Sequence, residues 1–322
     1  MQLKDLTSEK TLIQRLLSYS TAQDSALLVP NGDDAAVLNL GNSPLVLNTD
    51  TIVENIHFSL ELSSAEDVGF KAVESAASDI VAMGAQPHYV LLALSAPPTL
   101  QLDVIDQIYA GIQHSCERLG TSIIGGDFSR SDSISITVTA LGSAICIENI
   151  CRRSDACIGD LVYVTGPLGG SHAGLLALTD KISGYDDLVC LHRRPRCRSD
   201  LVNALAPIAH AMIDISDGLA SEIDHICTAS KVGCTIEAAH IPLAPGVSEL
   251  AMQLGQIPID FALAGGEDYE LLYTIHSDAC NQAIGHCIGV ITESTELLLR
   301  DSNILKPLAI QGFDHLRKNG ND

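Results

Sequence analysis

Apolar runs of strand length stop on carboxylates four times in this chain. Asp33 and Asp34 follow Asn31-Gly32, Asp50 follows Leu45-Val46-Leu47, Asp127 follows Ile123-Ile124-Gly125-Gly126, and Asp214 and Asp217 follow Met212-Ile213. A fifth station, Asp79, falls on a segment of helical period, on the face it shares with Lys71 and Ser75. Strand-like and helix-like segments alternate throughout, which makes the fold class mixed α/β. If the run ends converge, the five stations form a carboxylate basket.

The segments are legible one by one. Residues 11–20 read as a helix. "SALLVPNGDDAAVLNL" and "SPLVLNTDT" read as strands broken by a turn. "SAEDVGFKAVESAASDIVAMGAQP" reads as a helix capped by Ser64 and ended by Gly84 and Pro87. The strand "HYVLLALSAPP" is followed by a helix from about Leu102 to Leu119, then by the strands "TSIIGGDFSR" and "SISITVTALGSAI", the second with clear alternation. Near residue 150 the polar stretch "CRRSDACIGD" marks a joint, dividing the chain into domains at 1–150 and 151–322. Beyond it, "LVYVTG" is a strand leading through a glycine-rich turn into a helix.

Composition removes several functions. The net charge of −22, from 18 Lys and Arg against 40 Asp and Glu, disfavours nucleic acid and anionic membranes as partners. Ten Cys without a C-x-x-C pair fit no zinc template and read as reduced residues of a cytoplasmic protein. The polar N-terminus is no signal peptide, and the apolar run around "YVLLALSA" is too short to span a bilayer. The run "HRRPRCR" from His192 reads as a solvated turn or helix cap. With aromatics at 4% and no Trp, small aliphatic residues must build the core.

Carboxylates gathered at close range raise one another's pKa, and divalent cations relieve that cost. Oxygen ligands alone select hard ions, Mg²⁺ above all, usually shared with substrate phosphates. An acidic protein can thus hold ATP. The Gly-Gly-Asp stretch at Gly125–Asp127 would let backbone approach a phosphate, while the P-loop and protein-kinase signatures are missing.

Taken together, "NGDDAAV", "NTDTIVENIHF", "FKAVESAASDIVAMGAQP", "IIGGDFSR", "RRSDACIGDLVYVTGPLGG", "IDISDGLASEI", "LAGGEDYELLYT" and "GFDH" cover nearly the whole chain. In that order they resemble the thiamine-monophosphate kinase family, of the aminoimidazole ribonucleotide synthetase and selenophosphate synthetase superfamily. The resemblance implies a two-domain fold with a dimer-forming sheet in the N-terminal domain and an α/β C-terminal domain. It implies transfer of the ATP γ-phosphoryl group to thiamine monophosphate, giving thiamine diphosphate and ADP, the last step of thiamine diphosphate synthesis, by a homodimer. It implies Mg²⁺ ligands at Asp34, Asn48, Thr49, Asp50, Asp79, Asp127, Asp214 and Asp217, with Asp50, Asp127 and Asp214 at the catalytic centre. Nucleotide contacts are implied at Tyr109, Gly126, Asp127, Arg153 and Ser216, and thiamine-phosphate contacts at His57, Glu267 and Phe313. Two positions depart from the family pattern: Asn48 replaces a small hydroxyl residue, and Ala76 replaces a polar amide.

An acceptor phosphate is already anionic, so this reaction requires no general base and no phospho-enzyme, only alignment and charge neutralisation. Rival readings are weaker. The nearest rival is another ATP-dependent enzyme of the superfamily, such as a purine-pathway synthetase or a selenophosphate synthetase; the latter would want a reactive Cys near its N-terminus, and the first here is Cys116. A nucleotide binder without turnover would not keep the full carboxylate set, and the D-x-[DN]-x-[DN]-G loop of a calcium module is missing.

Overall fold

The computed structural model describes residues 25–30, 33–39, 41 and 43–310. The helix expected over 11–20, the closing GFDH stretch and the candidate Phe313 lie outside the described residues. The first sheet is built from β1 (Leu27–Val29), β2 (Ala36–Asn39), β3 (Pro44–Val53), β4 (Gln86–Ala96), β5 (Ser122–Arg130) and β6 (Ser135–Ser143), in the order β1-β2-β3-β6-β4-β5. β4 and β5 pair in parallel and the other neighbours antiparallel. The alternation read in β6 is observed: Ile136, Val138 and Ala140 are buried and their neighbours are not.

Two helices cover the inner face of that sheet, α1 (Ala65–Ala82) and α2 (Leu102–Leu119). Ser64 caps α1 as expected: its hydroxyl accepts the Asp67 N–H at 3.1 Å, and the Asp67 carboxylate accepts the Ser64 N–H at 3.2 Å. Gly69 of α1 and Gly111 of α2 lie where the helices cross, and a Cβ on either would overlap a backbone carbonyl of the other helix, Ile108 or Glu66. Ala76, where a polar amide was the family expectation, is fully buried in the apolar core between α1 and the first sheet.

The second sheet comprises β7 (Leu161–Val164), β8 (Met212–Asp214), β9 (Gly233–Glu237), β10 (Leu271–Ile275), β11 (His286–Thr292), β12 (Leu297–Asp301) and β13 (Ile304–Pro307), in the order β13-β12-β9-β11-β7-β10-β8. Around it lie α3 (Gly170–Thr179), α4 (Asp186–Arg193), α5 (Val202–Leu205), α6 (Leu219–Ser230), α7 (Val247–Leu254) and α8 (Pro258–Ala264).

Helix α1 joins the two halves. Its Val68, Val73, Ala76 and Ile80 pack into the first core, while Ala77, Val81 and Ala82 pack with Met212, Leu271 and Tyr273 of the second sheet. A helix buried on both sides explains why this segment is rich in alanine, since small side chains let a sheet approach each flank.

The run from His192 closes α4, with Arg194 at its C-cap as one of the two readings had it, but it is not a solvated turn. Arg193 Nε donates to Leu62 O at 2.7 Å, and Arg194 pairs with Asp67 at 2.5 Å and Glu66 at 2.9 Å. Cys197 N donates to Glu74 Oε2 at 3.0 Å, beside the Arg118–Glu74 pair. These basic residues pin the second half of the chain to α1, because α1 carries the acidic partners and Glu74 is completely buried.

Candidate active site

The basket forms where β3, α1 and β8 meet. Carboxylate oxygens of Asp34, Asp79 and Asp214 lie within 4.8 Å of one another. Burial, and then the Asp214, Asp34 and Asp50 charges, push the Asp79 carboxyl well above the ordinary range. Burial and Asp34 do the same to Asp214, against the Ser78 hydroxyl that donates to it at 2.6 Å. Ser78 has no counterpart among the residues expected from sequence. Its signal is the i−1 neighbour of Asp79 on a buried helix, which makes it a partner for whatever packs alongside.

Asn48 also reaches the basket. Its Nδ2 donates to Asp79 Oδ2 at 2.6 Å, and its Oδ1 is buried with no hydrogen-bond partner. A buried amide oxygen beside three carboxylates, two of them reluctant to ionise, is a donor set that fits a hard divalent cation. On the opposite face of β3, Thr49 Oγ1 lies 3.2 Å from Thr139 Oγ1 and 3.5 Å from Val138 O, so its hydroxyl does not share the basket.

Arg153, at the joint, closes the basket from the second half of the chain. Its Nη2 is 2.8 Å from Asp34 Oδ1, and its backbone N–H donates to Asp33. Asp33, which the sequence did not mark as a ligand although it stands beside Asp34, is thereby a clamp on the joint; burial and then Asp34 push its pKa up to about 6.

Next to the basket opens a cavity of about 950 Å³, lined by Asp50, His57, Asp79, Asp214, Ser216, Asp217 and Glu267, with His172 and His192 among the rest. That volume suits a cofactor-sized ligand. Two loops make its floor. Glu267 N donates to Ser216 O at 2.7 Å and Tyr269 N to Ile215 O at 2.9 Å, locking the Gly-Gly-Glu-Asp turn against the Ile-Ser-Asp-Gly turn. Glu267 and Tyr269 adopt φ of 63° and 50°, the left-handed strain found where a side chain is aimed for function.

Glu267 is held by residues the sequence did not single out for this purpose. Lys71, 3% exposed, reaches it across 2.9 Å, and His192 Nδ1 stands 3.4 Å away. Burial draws the Glu267 carboxyl up more than any other single influence, but the Lys71 charge and hydrogen bond, with the two nearby imidazoles, together outweigh it and the group stays below its ordinary pKa. Burial and the Lys71 charge push His192 down to about 4, so at neutral pH it is uncharged. His57 accepts the Val53 N–H at Nδ1, at 3.0 Å, which leaves its proton on Nε2.

Three expected residues stand elsewhere within the chain. Tyr109, Gly126 and Asp127 do not line the cavity. The registers Asp50↔Val138, Leu92↔Val138 and Leu92↔Gly126 separate β3 from β5 by three strand spacings, roughly 14 Å. Gly126 has a local reason as well, since a Cβ there would overlap the backbone oxygen of Leu92 on β4.

Comparison with known proteins places the chain in a family. Residues 32–144 match the AIR synthase related protein N-terminal domain and residues 158–285 its C-terminal domain. Thiamine-monophosphate kinase of Haemophilus influenzae is 37% identical over 96% of this chain and 98% of its own length. The enzyme of the same name from Bacillus subtilis is 32% identical over 92% and 96%. Among solved structures, AaThiL complexed with AMPPCP and TMP superimposes with a TM-score of 0.89 at 31% identity, covering 98% of this chain and 99% of that one. Hydrogenase maturation protein HypE in complex with ATP shares the fold at a TM-score of 0.71 and 19% identity, covering 94% and 96%. By its two matched domains and its 37% identity over 96% of its length to a thiamine-monophosphate kinase, the chain belongs to the thiamine-monophosphate kinase family.

Proposed function

We propose that this chain transfers the γ-phosphoryl group of ATP directly to the phosphate of thiamine monophosphate, releasing thiamine diphosphate and ADP. The observation that carries the reading is the contact between two unlike sites. An oxygen-only basket with an orphaned amide oxygen opens onto a cavity whose far wall holds an ionised carboxylate.

Each wall has a chemical task. Asp34, Asn48, Asp50, Asp79, Asp214 and Asp217 are the residues that would hold Mg²⁺, which supplies neutralisation of phosphate charge when bound. Ser216 and Arg153 lie on the nucleotide side, with Arg153 free to exchange Asp34 for a phosphate. His57 presents Nε2–H to the acceptor phosphate. Glu267, kept anionic by Lys71, faces the positively charged thiamine. No proton need be removed from a phosphate acceptor, and the uncharged His192 sits beside Glu267 without competing for it. Phe313 is retained as a stacking partner of the thiamine.

Asp127, Gly126 and Tyr109 enter through a second copy of the chain. β5 is an exposed edge strand along its whole length, with Ile124 and Phe128 at 53% and 60% exposure, next to exposed Tyr89 and Leu91 of β4. An apolar, unpaired edge of this length invites pairing, and a homodimer through it would bring the partner's β5 toward the nucleotide. A cytoplasmic setting suits the ten free thiols, and among the described residues no helix is long and apolar enough to cross a membrane.

The test is product analysis with ATP, Mg²⁺ and thiamine monophosphate, with free thiamine and aminoimidazole precursors as parallel acceptors. Thiamine diphosphate formed in step with ADP, and only with Mg²⁺, is the expected result. Mg²⁺-dependent ATP binding without that product would move the acceptor to another member of the superfamily. Asp50→Asn and Asp214→Asn abolish turnover on this reading while the protein stays folded. The paired change I124D and F128D should yield monomers by light scattering, with nucleotide affinity lost.

A further inference from the structure

We propose that Cys157, Asp160 and His210 form a second metal site, one that takes a single zinc-class transition-metal dication. It lies at the end of the second sheet away from the basket. Asp160 immediately precedes β7 and His210 shortly precedes β8, whose opposite end carries Asp214. No residue of the phosphoryl-transfer site takes part.

Ligand atoms of the three side chains lie within 4.8 Å of one another. Tetrahedral zinc, with bonds of about 2.0–2.3 Å, holds its ligands roughly 3.3–3.8 Å apart, so about an ångström of side-chain closure completes the set. The donors differ in kind from those of the basket. A thiolate, an imidazole and a carboxylate favour zinc-class ions, where oxygens alone favour Mg²⁺.

The surrounding backbone already holds this arrangement. Cys157 N donates to Asp160 Oδ2 at 2.9 Å, and Asp160 N to Cys157 O at 3.0 Å, closing a tight turn. His210 N donates to Thr274 O at 2.8 Å, and Thr274 Oγ1 donates to Asp160 Oδ2 at 3.2 Å. His210 Nδ1 stands 3.0 Å from Asp160 Oδ1 and 2.9 Å from Oδ2, with its proton between them. Asp160 is 1% exposed, while Cys157 is exposed and offers the ion a way in. Burial and the Asp160 and Asp155 carboxylates push the Cys157 thiol up, an electrostatic setting that favours a cation.

On binding, the Cys157 thiol proton leaves to solvent and the His210 proton moves from Nδ1 to Nε2, freeing Nδ1 for the metal. The fourth position falls to water or to His276, exposed and with its ring 6.5 Å from that of His210. The ion would staple the joint between the two halves to β8 and β10.

Cobalt tests the site, because a thiolate ligand gives Co²⁺ a near-ultraviolet charge-transfer band that oxygen ligands cannot. The full chain is stripped with chelator, supplied with excess Mg²⁺ to occupy the basket, and titrated with Co²⁺. The expected band saturates at one equivalent, is displaced by Zn²⁺, is lost in C157S and persists in D214N. Competition with a chromophoric chelator should show H210A weakening Zn²⁺ binding at least tenfold. Circular dichroism establishes that C157S, altered at an exposed side chain, is folded. No band at stoichiometric Co²⁺ overturns the proposal, and so does a band that survives in folded C157S, which would place the thiolate among the other nine cysteines.

Discussion

Lys71 and Glu267 come from opposite halves of the chain, and Lys71→Met isolates what their contact contributes. The ammonium is 3% exposed and the carboxylate 28%, with 2.9 Å between them. Breaking a buried pair by removing one partner costs about 3–5 kcal/mol, since it leaves the other charge uncompensated. Glu267 opens onto the cavity, so the low end applies, about 3 kcal/mol. Removing both charges costs far less, because neither is then stranded. The assay is urea denaturation of Lys71→Met, Glu267→Gln and the double variant, compared at constant m-value. Each single change should lower stability by about 2–3 kcal/mol, with the double variant no worse than either single one. Strictly additive losses would refute the idea that Lys71 is there to keep Glu267 ionised. A matching functional readout is the KM for thiamine monophosphate, which should rise in Lys71→Met more than kcat falls.

Three further outcomes follow from the same geometry. Asp79 and Asp214 have folded pKa values raised above their unfolded ones, so without metal the folded state binds more protons and its stability falls as pH rises from about 4 upward. Mg²⁺ should therefore raise the melting temperature more at pH 8 than at pH 6, and an equal shift at both would count against the basket. His192 is depressed from 6.5 to about 4, so the unfolded state takes up its proton first and stability is lost as pH falls through that window, by up to about 3 kcal/mol. His192→Asn should flatten the acid limb of a stability-against-pH curve, and an unchanged limb would mean that the imidazole is not buried uncharged. Gly69→Ala forces α1 and α2 apart at Ile108 and should cost roughly 1–3 kcal/mol in urea, whereas a neutral result would mean the crossing is looser than described.

Much of the basket could be read before any fold was known, because its parts are local. A carboxylate after an apolar run marks the end of a strand at Asp214, where α/β folds gather chemistry, whereas β3 runs on past Asp50 to Val53 and β5 past Asp127 to Arg130, so those two carboxylates project from within strands. The cap at Ser64, the extent of α2 and the alternation of β6 are local for the same reason: each depends on spacing within a dozen residues. The basic run at His192 misled, because "solvated" depends on what lies opposite. Its partners, Glu66, Asp67 and Glu74, are more than 110 residues away in sequence.

The sequence by itself determined the residue types: an oxygen-rich, acidic site, a core of small aliphatics and two successive α/β halves. The tertiary structure alone decided which of those residues meet. It turned the Thr49 hydroxyl away from the basket by the two-residue period of β3, and it put Asp127 three strands from Asp50. It also set Lys71 and His192 on either side of Glu267. The physical reason is range. Strand and helix periodicity and capping act over a few residues, whereas ion pairing, burial and pKa depend on neighbours that only the packing of α1 between two sheets brings together.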